Sequence, residues 1–180
     1  MDLSGAYQAG ARHTAPQAAI SFDPYHVVAL AHTALDQVRR AEVKTRPELK
    51  HSRWGTLKAP RHWNRQQLDV MHWLQRATLK TARAWRLKEA LRRVYEPAGE
   101  GATAEPLLRH WVSWARRCRL TPFKRLGATV RDHLAGILRH FDTGLSNGAV
   151  EAFNAHIQAA KARAKGYRTD ANLIAIAYLL

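Results

Sequence analysis

The chain has 180 residues, 29 Lys+Arg against 14 Asp+Glu, a formal charge of +15 and a pI near 10.9. A hydrophobic content of 46% and six tryptophans exclude a disordered basic tail and allow a real core. A single cysteine, Cys118, excludes an internal disulfide and a four-thiolate zinc site and fits a reducing cytosol.

The charge is uneven. Between Arg39 and Arg125 stand 22 Lys+Arg and 7 Asp+Glu, and outside those limits seven basic residues balance seven acidic ones. All six tryptophans (Trp54, Trp63, Trp73, Trp85, Trp111 and Trp114) lie in the basic middle. A middle so different from both neutral, small-residue flanks points to an insertion set into a compact scaffold.

In chain order, Ser4 is a candidate cap for a helix reaching Ala11. Ala18–Phe22, between Pro16 and Pro24, is a short apolar run of the kind that makes one buried strand. After Pro24, the apolar residues Val27, Leu30, Ala31, Ala34, Leu35 and Val38 recur at helical spacing and predict a helix to about Val43. Residues 46–63 hold Pro47, Gly55 and Pro60 and are expected to be irregular. Helices are expected over Asn64–Gln75, Thr78–Tyr95, Ala104–Arg119 and Pro122–Phe141, with a break at Glu96–Gly101. Thr143–Ser146 is a turn, and a helix follows from about Asn147 to Lys165, stopped by Gly166. Ala171–Leu180 makes a last, very apolar helix, about half the length that spans a membrane. No basic start followed by an apolar core marks a signal peptide in residues 1–20. A lone buried strand needs partners for its backbone groups, and none is evident in the sequence.

Two carboxylates draw attention. Asp2 stands where a strand would end and a helix begin, and Glu151 lies in the first turns of a late helix. Glu151 and Asn154 are three residues apart on a polar edge beside an apolar stripe of Val150, Phe153, Ile157 and Ala164. Taken alone, Glu151 reads as an ordinary carboxylate favoured by the helix dipole. Asp23 is either a helix cap before Pro24 or a site-supporting acid, and His26 either a core histidine or its companion. None of the ten histidines forms an HExxH pattern or a zinc pair.

Four blocks occur in order: Asp2–Tyr7, Phe22–Val28, Leu145–Asn154 and Ala164–Arg168. Each alone is a weak signal. Together they resemble the catalytic domain of DDE-type insertion-sequence transposases of the ISL-three branch, over essentially the whole chain. The resemblance implies a ribonuclease H-like fold whose two Asp and one Glu hold two divalent metals. By position, Asp2 matches the second acid and Glu151 the third, so both are the implied catalytic residues and metal ligands. Asp23 and His26 match a DxxH element after the second acid, and Asn147 and Asn154 flank the glutamate. The first Asp has no counterpart here, and Met1 matches the apolar residue that precedes the second Asp. The expectation is therefore a truncated reading frame.

Acids suit this chemistry because in-line phosphoryl displacement builds charge on the attacking and leaving oxygens. Two Mg²⁺ (or Mn²⁺) ions about 3.5–4 Å apart stabilise both, held by hard carboxylate ligands. The expected fold is mainly α, the C-terminal remnant of a ribonuclease H-like α/β domain with one or two short strands. Residues 1–38 and 141–180 form the incomplete core, and 39–140 the helical insertion.

DNA is the expected partner, with a homodimer or intact transposase beside it, no membrane, and a cytoplasmic, nucleoid-associated location. The candidate phosphate contacts are Arg39, Arg40, Arg53, Arg61, Arg65, Arg83, Arg86, Arg92 and Arg93. Lys161 and Lys165 join them, because Gln158 stands where the family often has a basic residue. Missing an acid, the fragment is expected to be inactive alone. The competing readings are a non-catalytic DNA-binding or dimerising fragment, and a decayed frame without a stable fold.

Overall fold

A computed structural model describes residues 1, 3–96, 104–145 and 148–179. The described residues are mainly α-helical and contain no strand. Ten helices follow in order: α1 (Gly5–Thr14), α2 (Pro24–Val43), α3 (Arg53–Leu57), α4 (Arg65–Arg76), α5 (Lys80–Val94), α6 (Ala104–Arg117), α7 (Thr121–Asp132), α8 (Leu134–Thr143), α9 (Gly148–Arg163) and α10 (Asp170–Leu179). Short 3-10 turns at Pro47–His51 and Pro60–His62 flank α3, so the irregular stretch is a chain of short helical pieces.

The core is built around α2, α5, α6 and α7, with α2 packed on α5 and α7. Of the predicted α2 stripe, Val27, Ala31, Ala34, Leu35 and Val38 face inward, whereas Leu30, at its edge, is exposed. Leu87 and Leu91 on α5, Trp111 on α6, and Phe123 and Val130 on α7 complete it. Trp111 is 1% exposed and its indole N–H donates to Leu87 O at 2.8 Å, so the ring is buried without an orphaned donor. The tryptophans divide. Trp85 and Trp111 are core, Trp63 is half-buried with its N–H on Gly55 O, and Trp54, Trp73 and Trp114 are exposed.

Helix ends follow local chemistry. Asn64 caps α4 by accepting from Gln67 N at 2.8 Å while the Gln67 side chain accepts from Asn64 N, a reciprocal capping box. Leu79 begins α5 with no side-chain acceptor of its own. Glu42 supplies one from α2, accepting from Lys80 N, Thr81 N and the Thr81 hydroxyl at 2.7–2.9 Å. This joint stitches the end of α2 to the start of α5. At the end of α9, Gly166 has φ +97° and donates its N–H to Lys161 O, ending the helix as the sequence predicts.

The strand expected at Ala18–Phe22 does not form. The segment runs extended and finds other backbone partners. Phe22 N donates to Gly136 O at 3.0 Å, and the Arg139 guanidinium donates to Ile20 O at 3.1 Å. On its other side, Met1 N donates to Ser21 O and Asp23 N donates to Met1 O, the hydrogen-bond pattern of a parallel pair one residue long. Docking of this segment also accounts for the second departure. The helix expected over Pro122–Phe141 breaks at His133 into α7 and α8. The Phe22 ring meets His133 edge-on at 5.2 Å and lies over Gly136, where an added Cβ would fall 2.5 Å from the ring.

The stripe expected on the late helix is not buried either. On α9, Phe153 is exposed and Ile157 half-buried, and Ala164, just past its end, is exposed. This helix packs chiefly on α10. No described residue of α10 is buried, and Ile174, Tyr178 and Leu179 are all exposed. The break at Glu96–Gly101 falls mostly outside the described residues.

Candidate functional site

The N-terminus of α2 positions two of the expected site residues. Asp23 is the N-cap, its carboxylate accepting from Tyr25 N at 2.7 Å, with Pro24 in the first turn. Its side chain is buried, and its charge reaches Tyr95. Burial, and then the Asp23 carboxylate, push the Tyr95 phenol well above its ordinary value. The Tyr95 hydroxyl finds no hydrogen-bond partner among the described residues, while its ring stacks on Phe141 at 5.3 Å.

One turn further, His26 emerges at the surface and meets Glu151. Its Nε2 lies 3.9 Å from Glu151 Oε1, a gap that becomes an ion pair only when the imidazole is protonated. Two of the expected residues, 125 positions apart in sequence, are thus brought together. His26 also lines an open depression of about 490 Å³ with Leu3, Ser4, Ala29, Leu30, Thr33 and Thr129. Asp2 and Asn147 lie outside the described residues. Asn154 is exposed one turn after Glu151.

The acids needed for a two-metal centre are not assembled by the described residues. No three His, Cys, Asp or Glu side chains converge on a metal position among them. Glu151 is exposed and lies 3.9 Å from the His26 imidazole, while Asp23 caps α2.

The expected DNA contacts also sort into groups. Arg39 is buried and donates twice to Asp36 Oδ1, at 2.7 and 2.9 Å, while Arg40 pairs with Asp36 Oδ2 at 2.6 Å. Burial raises the Asp36 carboxyl, but hydrogen bonds and charge from Arg39 and Arg40 outweigh it and leave it below its ordinary value. Arg92 is engaged by Glu89 and Glu96. Arg83, Arg86 and Arg93 instead share the exposed face of α5, spaced three and seven residues apart. Arg53 lies over the exposed Trp54 ring at 4.9 Å, and Arg61 and Arg65 stand exposed nearby. Lys161 and Lys165 are exposed at the end of α9. Of the expected contacts between Arg39 and Arg125, Arg53, Arg61, Arg65, Arg83, Arg86 and Arg93 are therefore exposed without a carboxylate partner among the described residues.

The family whose model matches this chain is described as transposase, of the DDE type and ISL3 group, and the match runs over residues 1–177. The chain belongs to the ISL3 family of DDE transposases. Within it, the chain is 33% identical over 192 residues to the transposase for insertion sequence element IS1557 of Mycobacterium tuberculosis. The aligned region is 91% of this chain and 43% of that relative. The transposase for IS1001 of Bordetella parapertussis is 28% identical over 176 residues, 93% of this chain and 43% of the relative. The chain thus spans less than half the length of the transposases it matches. No solved structure matches it. No helix is long and apolar enough to cross a membrane among the described residues of this transposase chain.

Two features escaped the sequence reading. Glu42 acts across helices, and only the absence of a capping side chain at Leu79 hints at it. The other is a carboxylate-free run: between Glu105 and Asp132 stand seven basic residues and no acidic one.

Proposed function

We propose that these 180 residues are the C-terminal part of an ISL3-family transposase, with a basic helical body that engages DNA and a late helix that carries an acid of the reacting centre. The supporting observation is the match over residues 1–177 against less than half of each relative's length. In this reading, residues 1–38 and 141–180 belong to a ribonuclease H-like catalytic core, and residues 39–140 are its helical insertion. The parallel pairing of Met1 with the segment at Phe22 suits the edge of such a core, and α2 runs across the boundary to join the two parts.

Asp2 and Glu151 are the acids of the intact enzyme, Asp23 and His26 its supports, and the remaining acid comes from outside these residues. His26, 3.9 Å from Glu151, would orient that carboxylate. The isolated chain binds DNA but does not cut it. The test is nicking of duplex DNA carrying the element's ends, in Mg²⁺ or Mn²⁺. Binding without nicking, unchanged in Glu151→Gln, is expected. Robust nicking that Glu151→Gln abolishes would overturn the claim of inactivity.

A second reading has its own observation. Glu151 sits on a helix pair packed chiefly on itself, so the chain could serve as a non-catalytic DNA-binding or dimerising fragment that modulates intact transposase. Slowed strand transfer when the chain is added to intact enzyme, equal for Asp2→Asn and Glu151→Gln, distinguishes it.

A further inference from the structure

The corner where α6 ends and α7 begins encloses an open pocket of about 440 Å³ lined by Ser113, Arg116, Arg117 and Lys124. Its lining holds three cationic groups, one hydroxyl and no carboxylate. None of the three cations makes an ion pair among the described residues, unlike Arg39, Arg40 and Arg92. The surroundings offer no compensation, because the run from Pro106 to Arg131 contains no acid and Arg119 and Arg125 add further positive charge.

Two of the cations are held in place. Arg117 Nε donates to Ser113 O at 3.2 Å, which fixes its guanidinium against the preceding turn. The stem of Arg116 rests on α7 at Gly127, where an added Cβ would lie 3.2 Å from Arg116 Cγ and 3.1 Å from Ala115 Cβ. Glycine at 127 permits the two helices to close on each other there, and the close crossing sets where Arg116 projects. Lys124 stands in the first turn of α7, on the other wall. The carbonyl end of α6 opposes an anion while the N–H end of α7 favours it, so the helix dipoles roughly offset each other. The side-chain charges decide the sign.

We propose that this α6–α7 corner is a phosphate-binding site for the DNA backbone, separate from the arginine face of α5. The proposal rests on the reading of the chain as a DNA-engaging transposase part. The Arg116 guanidinium and the remaining Nη groups of Arg117 can meet phosphate oxygens, and the lysine adds a point charge from the opposite wall. Such a contact anchors and orients the duplex without reading its sequence.

The test is the salt dependence of binding to a 20-base-pair mixed-sequence duplex, for the full chain and for the triple variant R116A/R117A/K124A. Each lost phosphate contact lowers the slope of log K against log salt by about 0.9, so the triple variant is expected to lose about 2.7. The control R12A/R109A/R131A removes the same charge from outside the pocket, two of its arginines being paired with Glu105 and Asp132. It is expected to keep most of the slope. Should the Arg116 change disturb packing, Lys124→Glu alone, at an exposed side chain, is expected to weaken binding more than Arg109→Glu. Equal losses in pocket and control variants would overturn the site and leave the DNA-engaging reading intact. Absence of any salt-dependent duplex binding by the unaltered chain would overturn both.

Discussion

The helical body around α2, α5, α6 and α7 and the terminal pair α9–α10 both carry large apolar residues, yet only the first encloses them. Trp111, Phe123, Leu35 and Leu87 are sealed from water, whereas Phe153, Ile174, Tyr178 and Leu179 face it. The difference lies in partners. The body brings four helices around one centre, while α9 and α10 have chiefly each other. Two helices bury one seam and leave their outer faces wet. Residues of the basic body therefore have a fixed geometry from which to act, and Glu151 rests on an element that the rest of the described chain scarcely supports.

Trp111→Ala removes a buried indole and its hydrogen bond and is expected to cost about 3–5 kcal/mol in urea unfolding. Glu89→Gln is expected to cost about 3–5 kcal/mol, because it leaves the buried Lys88 ammonium without its counter-charge. The same pair gives a pH dependence. Burial raises the Glu89 carboxyl, but Lys88 and Arg92 outweigh it and hold it below its ordinary 4.5. A depressed carboxyl stabilises the fold above its unfolded value, so stability should fall as pH drops below about 4.5 and Glu89→Gln should flatten that loss, read from acid titration of helical circular dichroism. Glu42→Ala removes the cap of α5 and is expected to cost about 0.5–2 kcal/mol. Phe153→Ala and Ile174→Ala are expected to stay within about 0.5 kcal/mol. A cost of 2 kcal/mol or more at either would show that the terminal pair has a partner in solution, and so erase the contrast.

Much of this was legible from sequence, for reasons visible in particular residues. The α2 stripe, the Asn64 start of α4 and the Gly166 stop are set by local periodicity and capping, and the structure has all three. Ala18–Phe22 carries a strand's composition without a sheet to join, so its backbone turned to Met1, Gly136 and Arg139 instead. The break at His133 follows from that docking, across more than a hundred residues, and no window of sequence contains it. Charge counts located the basic region but not its spending. Arg39, Arg40 and Arg92 turned inward to Asp36, Glu89 and Glu96, while Arg116, Arg117 and Lys124 remained outward around a common pocket. The meeting of His26 with Glu151 joins positions 125 residues apart, so no local stretch of sequence contains it.

Amide hydrogen exchange of the whole chain at neutral pH tests the central contrast most directly. Amides of α5 and α7 should exchange only with global unfolding, and those of α9 around Glu151 should exchange orders of magnitude faster. Equal protection in α7 and α9 would contradict the account, because Glu151 would then stand on an element as firmly held as the basic body.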